Sequence, residues 1–105
     1  MREKQMRLTQ PALKILRLFS EHSANTLSGA EIAKATGASS GTLYPLLARL
    51  ENTGWATSTW EEIDPREARR PRRRLYKLTA LGRARAHAAL AELQIQASGG
   101  FAWNV

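Results

Sequence analysis

The chain has 105 residues, no cysteine, 43% hydrophobic residues and a formal net charge of +7. That length suits one domain with a single core, the hydrophobic fraction excludes a disordered polymer, and the missing thiols exclude disulfides and thiolate metal sites. The basic balance points to a polyanionic partner, and the charge is concentrated, since six of the sixteen Lys and Arg residues fall between Arg66 and Arg74.

Along the chain, Met1–Leu8 is charged and aperiodic. Thr9 is placed to cap a first helix with Pro11 in its opening turn, where a missing N–H is harmless. Leu13 and Leu16, with Ile15 and Phe19 at the edge, give that helix an apolar face, and it is expected to end near His22–Asn25. Ser28 followed by Glu31 is a capping box for a second, short helix. Gly37 is positioned to stop it in the left-handed conformation.

A third helix is expected from Ser40–Thr42, with Leu43, Leu47 and Leu50 on one face and Gly54 at its end. Pro45 requires that this helix start just before it, because proline is tolerated only in or just past the first turn. Next, Trp55–Ile63 alternates β-branched and aromatic residues at period two, the pattern of a strand. Asp64-Pro65 opens a turn, the arginine-rich stretch follows, and Leu75–Leu78 forms a second strand. Together they read as a hairpin with a long charged tip.

Thr79 is expected to cap a last helix, from about Ala80 to Ser98, stopped by Gly99-Gly100. Two stripes run along it: Leu81, Ala84, Ala88, Ala91 and Ile95, and beside them Ala86, Leu90, Leu93 and Ala97. One stripe suits its own domain and the other a partner helix. The tail Phe101–Val105 is apolar and has no evident local burial. The order helix, helix, helix, hairpin, helix is that of a helix-turn-helix followed by a wing. The fold class expected is thus mainly α with a small β-hairpin (α+β), in which residues 1–79 are the DNA-binding domain and 80–105 the dimerisation helix and tail.

Several runs resemble the PadR family of winged-helix regulators. They are Ser40-Gly41-Thr42-Leu43-Tyr44-Pro45-Leu46-Leu47, Arg49-Leu50-Glu51, Gly54-Trp55, and Arg72-Arg73-Arg74-Leu75-Tyr76-Lys77-Leu78-Thr79 with Gly82. The resemblance covers roughly Leu8 to Ala86, and its single C-terminal helix is like that of the shorter members. It implies a dimeric repressor whose third helix enters the major groove, whose wing touches the adjacent backbone or minor groove, and whose last helix forms the dimer.

Site residues follow from residue chemistry on this framework. Ser39, Ser40, Thr42, Tyr44 and Pro45 lead the reading helix, where hydroxyls and free N–H groups approach bases or phosphates, with Arg49 further along. Few side chains there suit bidentate base readout, so shape readout gains weight. Arg69, Arg70, Arg72, Arg73 and Arg74 are wing contacts to phosphate or minor groove, some of them paired instead with Glu61, Glu62, Asp64 or Glu67. Arg2, Lys4, Arg7 and Lys34 are weaker backbone candidates. Leu81, Ala84, Ala88, Leu90, Leu93 and Ile95 are the dimer candidates.

Trp55 and Trp60 are read as core or interface packing, and Trp103 as a candidate for an effector or groove contact. His22 and His87 have no metal-ligand spacing, and neither a catalytic arrangement nor a phosphate-cradling glycine loop is readable. No enzyme, metal or cofactor is therefore expected. No apolar run reaches the ~20 residues of a membrane span, and no signal-peptide stretch is seen. A cytoplasmic protein without a membrane partner is expected, with duplex DNA, a second copy and a small-molecule effector as the partners. The alternatives are a nucleic-acid-binding accessory module without sensing, and a protein-interaction winged helix whose arginines meet an acidic partner.

Overall fold

The structure, a computed structural model, describes residues 6–22 and 24–103, with side chains through Leu93. Its elements run α1 (Gln10–Glu21), β1 (Leu27–Ser28), α2 (Gly29–Thr36), α3 (Ser40–Asn52), β2 (Ala56–Trp60), α4 (Pro65–Ala68), β3 (Arg74–Leu78) and α5 (Ala80–Trp103).

The helix starts are set by local capping chemistry. Thr9 accepts from the Ala12 N–H at 3.3 Å, and Ser28 and Glu31 form the reciprocal capping box of α2. Gly37 closes α2 with φ 75°, a conformation open to glycine because it has no Cβ. The brief Gly37–Ser39 turn then leads into α3, completing the helix-turn-helix. Ser39 is the N-cap of α3.

One core joins all the helices of the motif to the sheet. Ile15, Leu16, Phe19, Ile32, Leu43, Leu47 and Leu50 are fully buried, with Ala56, Tyr76, Leu78 and Ala86 around them. On α1 the buried face is Ala12, Ile15, Leu16 and Phe19. Leu13, expected on that face, is only half-buried, because its side chain lies toward α5 in the shallow groove it shares with Leu90 and Leu93.

The expected hairpin is present, with Thr57 opposite Lys77 and Trp60 opposite Arg74 in its antiparallel register. Two features of the sheet are additional. Leu27 and Ser28 pair with Tyr76 and Leu75 as a third strand, giving the order β1-β3-β2. In addition, the connection Asp64–Arg69 is not an open turn but a single helical turn, α4. Asp64 caps it through the Arg66 N–H at 2.9 Å, and Arg69 ends it with φ 57°.

The last helix is clamped at its start. The Thr79 hydroxyl donates to the Gly54 carbonyl at 2.6 Å, and the Thr79 N–H donates to the Trp55 carbonyl at 2.9 Å. Gly82 lies so close that a Cβ there would collide with the Trp55 carbonyl. The two stripes of α5 then separate. Ala86 is buried and Leu90 half-buried on the side that packs against α1, whereas Leu81, Ala84, Ala88 and Ala91 are exposed.

The expected stop at Gly99-Gly100 is corrected: both glycines lie inside α5, which continues to Trp103. Glycine ends a helix by turning left-handed; while it stays right-handed it only weakens the helix, by about 1 kcal/mol each. The side chains of Ile95, Ala97 and Trp103 lie outside the described residues, as do Arg2 and Lys4. Among the described residues no helix is long and apolar enough to cross a membrane.

Candidate nucleic-acid interface

The buried stripe of α3 determines which side it shows to solvent. With Leu43, Leu47 and Leu50 turned inward, the exposed side carries Gly41, Thr42, Pro45, Ala48, Arg49 and Asn52, and Tyr44 lies at its edge. Gly41, Pro45 and Ala48 hold its centre and offer no hydrogen-bonding side chain. The face thus combines a stretch of apolar shape with the polar side chains Thr42, Arg49 and Asn52.

Ser39 and Ser40 are exposed at the helix entry. The Ser39 side chain makes no capping bond and instead donates to the Thr42 hydroxyl at 3.3 Å. With no side-chain cap, the Ser40 and Gly41 N–H groups are available to an anion, while the Thr42 N–H donates to the Ser39 carbonyl at 3.1 Å. Tyr44 is turned toward α2. Its hydroxyl lies against the start of α2, where a Cβ on Gly29 would come within 2.8 Å of it, and the side chain remains 49% exposed. Gly29 thus makes the space that lets the phenol lie between α3 and α2.

The wing sorts its arginines by what already occupies them. Arg70 donates through both terminal nitrogens to Glu61, at 2.7 and 2.9 Å. Glu61 also accepts the Arg73 N–H at 3.3 Å. These donors, with Arg70 first among them, hold the Glu61 carboxyl down at about 2, well below its ordinary 4.5. The Arg70 guanidinium is correspondingly held more firmly protonated by the same bond. The clamp fixes the tip of the wing and takes Arg70 out of the set of free cations.

Arg69, Arg72 and Arg73 are exposed. Arg72 is anchored through Nε to the Ile63 carbonyl at 3.1 Å. Arg74, half-buried at the outer end of β3, donates through Nε to Ser58 at 2.9 Å. Lys34 and Arg7 are exposed outside this group. Trp55 is partly buried against the core, but Trp60 is 59% exposed, which overturns core packing for Trp60. The strand alternation that buries Ala56 carries Trp60 past the edge of the core on the same face.

Elsewhere, Met6, Leu8, Trp55, Leu81, Arg85 and Glu92 help line an open cleft of about 510 Å³ between the N-terminal segment and α5. Among the described residues no group of three or more His, Cys, Asp or Glu is placed to hold a metal ion.

Comparison with known proteins identifies the family and the fold. The model of the "Transcriptional regulator PadR-like family" matches residues 14–88. A PadR-like transcription factor of Bacteroides fragilis superposes with a TM-score of 0.68 at 25% identity, over 84% of each chain. A mutant MarR of Escherichia coli superposes with a TM-score of 0.77 at 21% identity, over 93% of this chain and 66% of its own. NadR in complex with 4-hydroxyphenylacetate gives 0.68 at 24% identity, over 90% of this chain and 60% of its own. At that identity the last two show the shared winged-helix fold alone, and this chain spans less than two thirds of either. No curated protein matches the sequence.

Proposed function

The chain belongs to the PadR-like family of transcriptional regulators, and from that premise we propose that it is a cytoplasmic repressor binding duplex DNA as a homodimer. One observation carries the reading: the exposed face of α3 adjoins a wing that still presents Arg69, Arg72 and Arg73 to solvent, with the half-buried Arg74 beside them. A helix of this motif enters the major groove, and a basic wing beside it meets phosphates or the neighbouring minor groove. Ser39, Ser40, Thr42, Tyr44, Pro45 and Arg49 are the groove-side residues of this reading. With Gly41, Pro45 and Ala48 at the centre of the face, specificity leans on groove shape and DNA deformability as much as on base hydrogen bonds.

The dimer is assigned to α5. Its exposed small and apolar residues Leu81, Ala84, Ala88 and Ala91 recur at the spacing of a close helix pair. In this division of labour residues 1–79 read DNA, and 80–105 hold two copies so that their α3 helices enter successive major grooves about 34 Å apart. Occupancy of a promoter would then exclude polymerase. A small-molecule effector would release the DNA by favouring one dimer geometry over the other. The cleft beside Trp55 and Arg85 touches both α5 and the end of α3, so an occupant there would bias the angle between them; NadR, of the same fold, was solved with an aromatic acid.

The test is footprinting of the purified protein on DNA upstream of its own gene, near physiological salt and with excess competitor. A discrete, roughly symmetric protected site with about 10³-fold preference or more is the expected result. Diffuse protection would instead identify a general nucleic-acid-binding module, and no protection a protein-interaction module.

A further inference from the structure

The inner face of the wing carries a connected set of side chains that groove reading by α3 does not use. On β2 the residues on this face are Ala56, Ser58 and Trp60, and opposite them on β3 are Leu78, Tyr76 and Arg74. The first two pairs close over the core, with Ala56, Leu78 and Tyr76 buried. The third pair, Trp60 and Arg74, continues beyond it.

Arg74 is held there from two directions. Its Nε donates to the Ser58 hydroxyl at 2.9 Å, and its guanidinium lies 5.0 Å from the centre of the Trp60 ring. Ser58 in turn donates to Glu51 Oε2 on α3 at 2.8 Å. A hydroxyl has one proton and two lone pairs. Arg74 can only donate, so Ser58 accepts from it through a lone pair and spends its proton on Glu51, which fixes the rotation of the hydroxyl. The terminal nitrogens of Arg74 make no hydrogen bond or ion pair among the described residues, in contrast to those of Arg70.

We propose that Glu51, Ser58 and Trp60 aim Arg74 at a single phosphate of the DNA backbone, with the Trp60 indole covering the adjoining deoxyribose. This rests on the reading of the protein as a duplex-binding regulator; it adds Trp60 to the interface and gives Arg74 two positioning residues, Glu51 and Ser58. The chemistry favours this occupant. A planar guanidinium fork fits a phosphate through two parallel N–H bonds. The exposed indole beside it offers an apolar surface to the sugar, and the fork lies within a strongly basic chain. Anchoring Nε leaves the fork rigid, so less side-chain freedom is lost when a phosphate binds. Glu51 and Ser58 are positioning residues that act through Arg74; Arg74 and Trp60 touch the DNA. The same relay ties the wing to α3, so the wing contact and the groove contact share one frame.

Phosphate contacts are independent of sequence, so a mixed-sequence duplex of about 30 base pairs serves as the probe. Binding is measured over a salt series for the wild type, R74A, R74K, S58A and S58T, with thermal melting of each as the fold control. R74A should lower the salt slope by about 0.9, the value for one lost phosphate contact, and weaken binding about tenfold near physiological salt. R74K should keep most of the slope while losing affinity, since a point charge replaces a fork. S58A should keep the slope and lose about threefold to fivefold in affinity, and S58T, which retains the hydroxyl, should restore it.

The fluorescence change on adding duplex should fall markedly in W60F. An R74A slope equal to wild type, or a W60F signal change equal to wild type, overturns the proposal while leaving the duplex-binding reading intact. Absence of salt-dependent binding by the wild type overturns both.

Discussion

Glu61 illustrates how one side chain decides which arginines remain free. It takes both terminal nitrogens of Arg70 and the Arg73 N–H, so the tip of the wing is closed by a charge-assisted pair rather than by apolar packing. With its folded-state value depressed to about 2 from 4.5, the contribution of the Glu61 carboxylate is fully present above 4.5. It is lost as pH falls through the range down to about 2. Duplex binding should therefore show no titration from this group between about pH 6 and 8. Glu61→Gln should expose the Arg69–Arg74 segment, read as several-fold faster tryptic cleavage there with the melting temperature nearly unchanged. Unchanged cleavage would remove the clamp as the device that orders the wing.

At the level of single elements, α3 keeps a residue that helices ordinarily reject. Pro45 lies inside it, at the centre of the exposed face, where it supplies no N–H to the carbonyl one turn back. Restoring that donor with Pro45→Ala should stabilise the protein by about 1 kcal/mol or more, while weakening operator binding because the proline surface is lost. A fall in the melting temperature instead would mean that Pro45 fixes the start of the helix.

The junction of β2 with α5 makes the opposite demand. Gly82 sits against the Trp55 carbonyl with no room for a methyl group, so Gly82→Ala must push α5 off the sheet. A loss of about 3 kcal/mol, the upper end for overpacking, is expected from denaturant melts. A variant as stable as wild type would show that α5 is docked less tightly than this contact requires.

Across the whole molecule, α5 serves the core on one side and solvent on the other. Ala86 belongs to the same buried cluster as Leu16 and Leu47, so the proposed dimerisation helix is not a separately folded domain. Two substitutions distinguish its faces. Leu81→Glu with Ala88→Glu, on the exposed stripe, should halve the mass in sedimentation while leaving the monomer folded. Leu90→Glu, on the half-buried side facing α1, should lower the melting temperature first. Were Leu90→Glu alone to dissociate a dimer at unchanged stability, the interface would lie on the α1 side.

What the sequence determined by itself is the part written in local rules. Caps at Thr9 and Ser28, the left-handed Gly37, the inward Leu43, Leu47 and Leu50, and the period-two strands flanking the arginines all act within a few residues. Each could be read without knowing its neighbours in space. The concentration of arginine between the strands likewise marked the wing before any fold was known.

The tertiary structure alone decided which surface met which. β1 is two residues long and has no periodicity to detect; it exists because β3 lies beside it. Alternation put Ser58 and Trp60 on one face, but only the placement of α3 shows that Ser58 meets Glu51 and that Trp60 extends past the core. Two apolar stripes on α5 were equivalent as patterns until α1 covered one of them. Periodicity assigns a residue to a face, and burial depends on what the rest of the chain brings against that face.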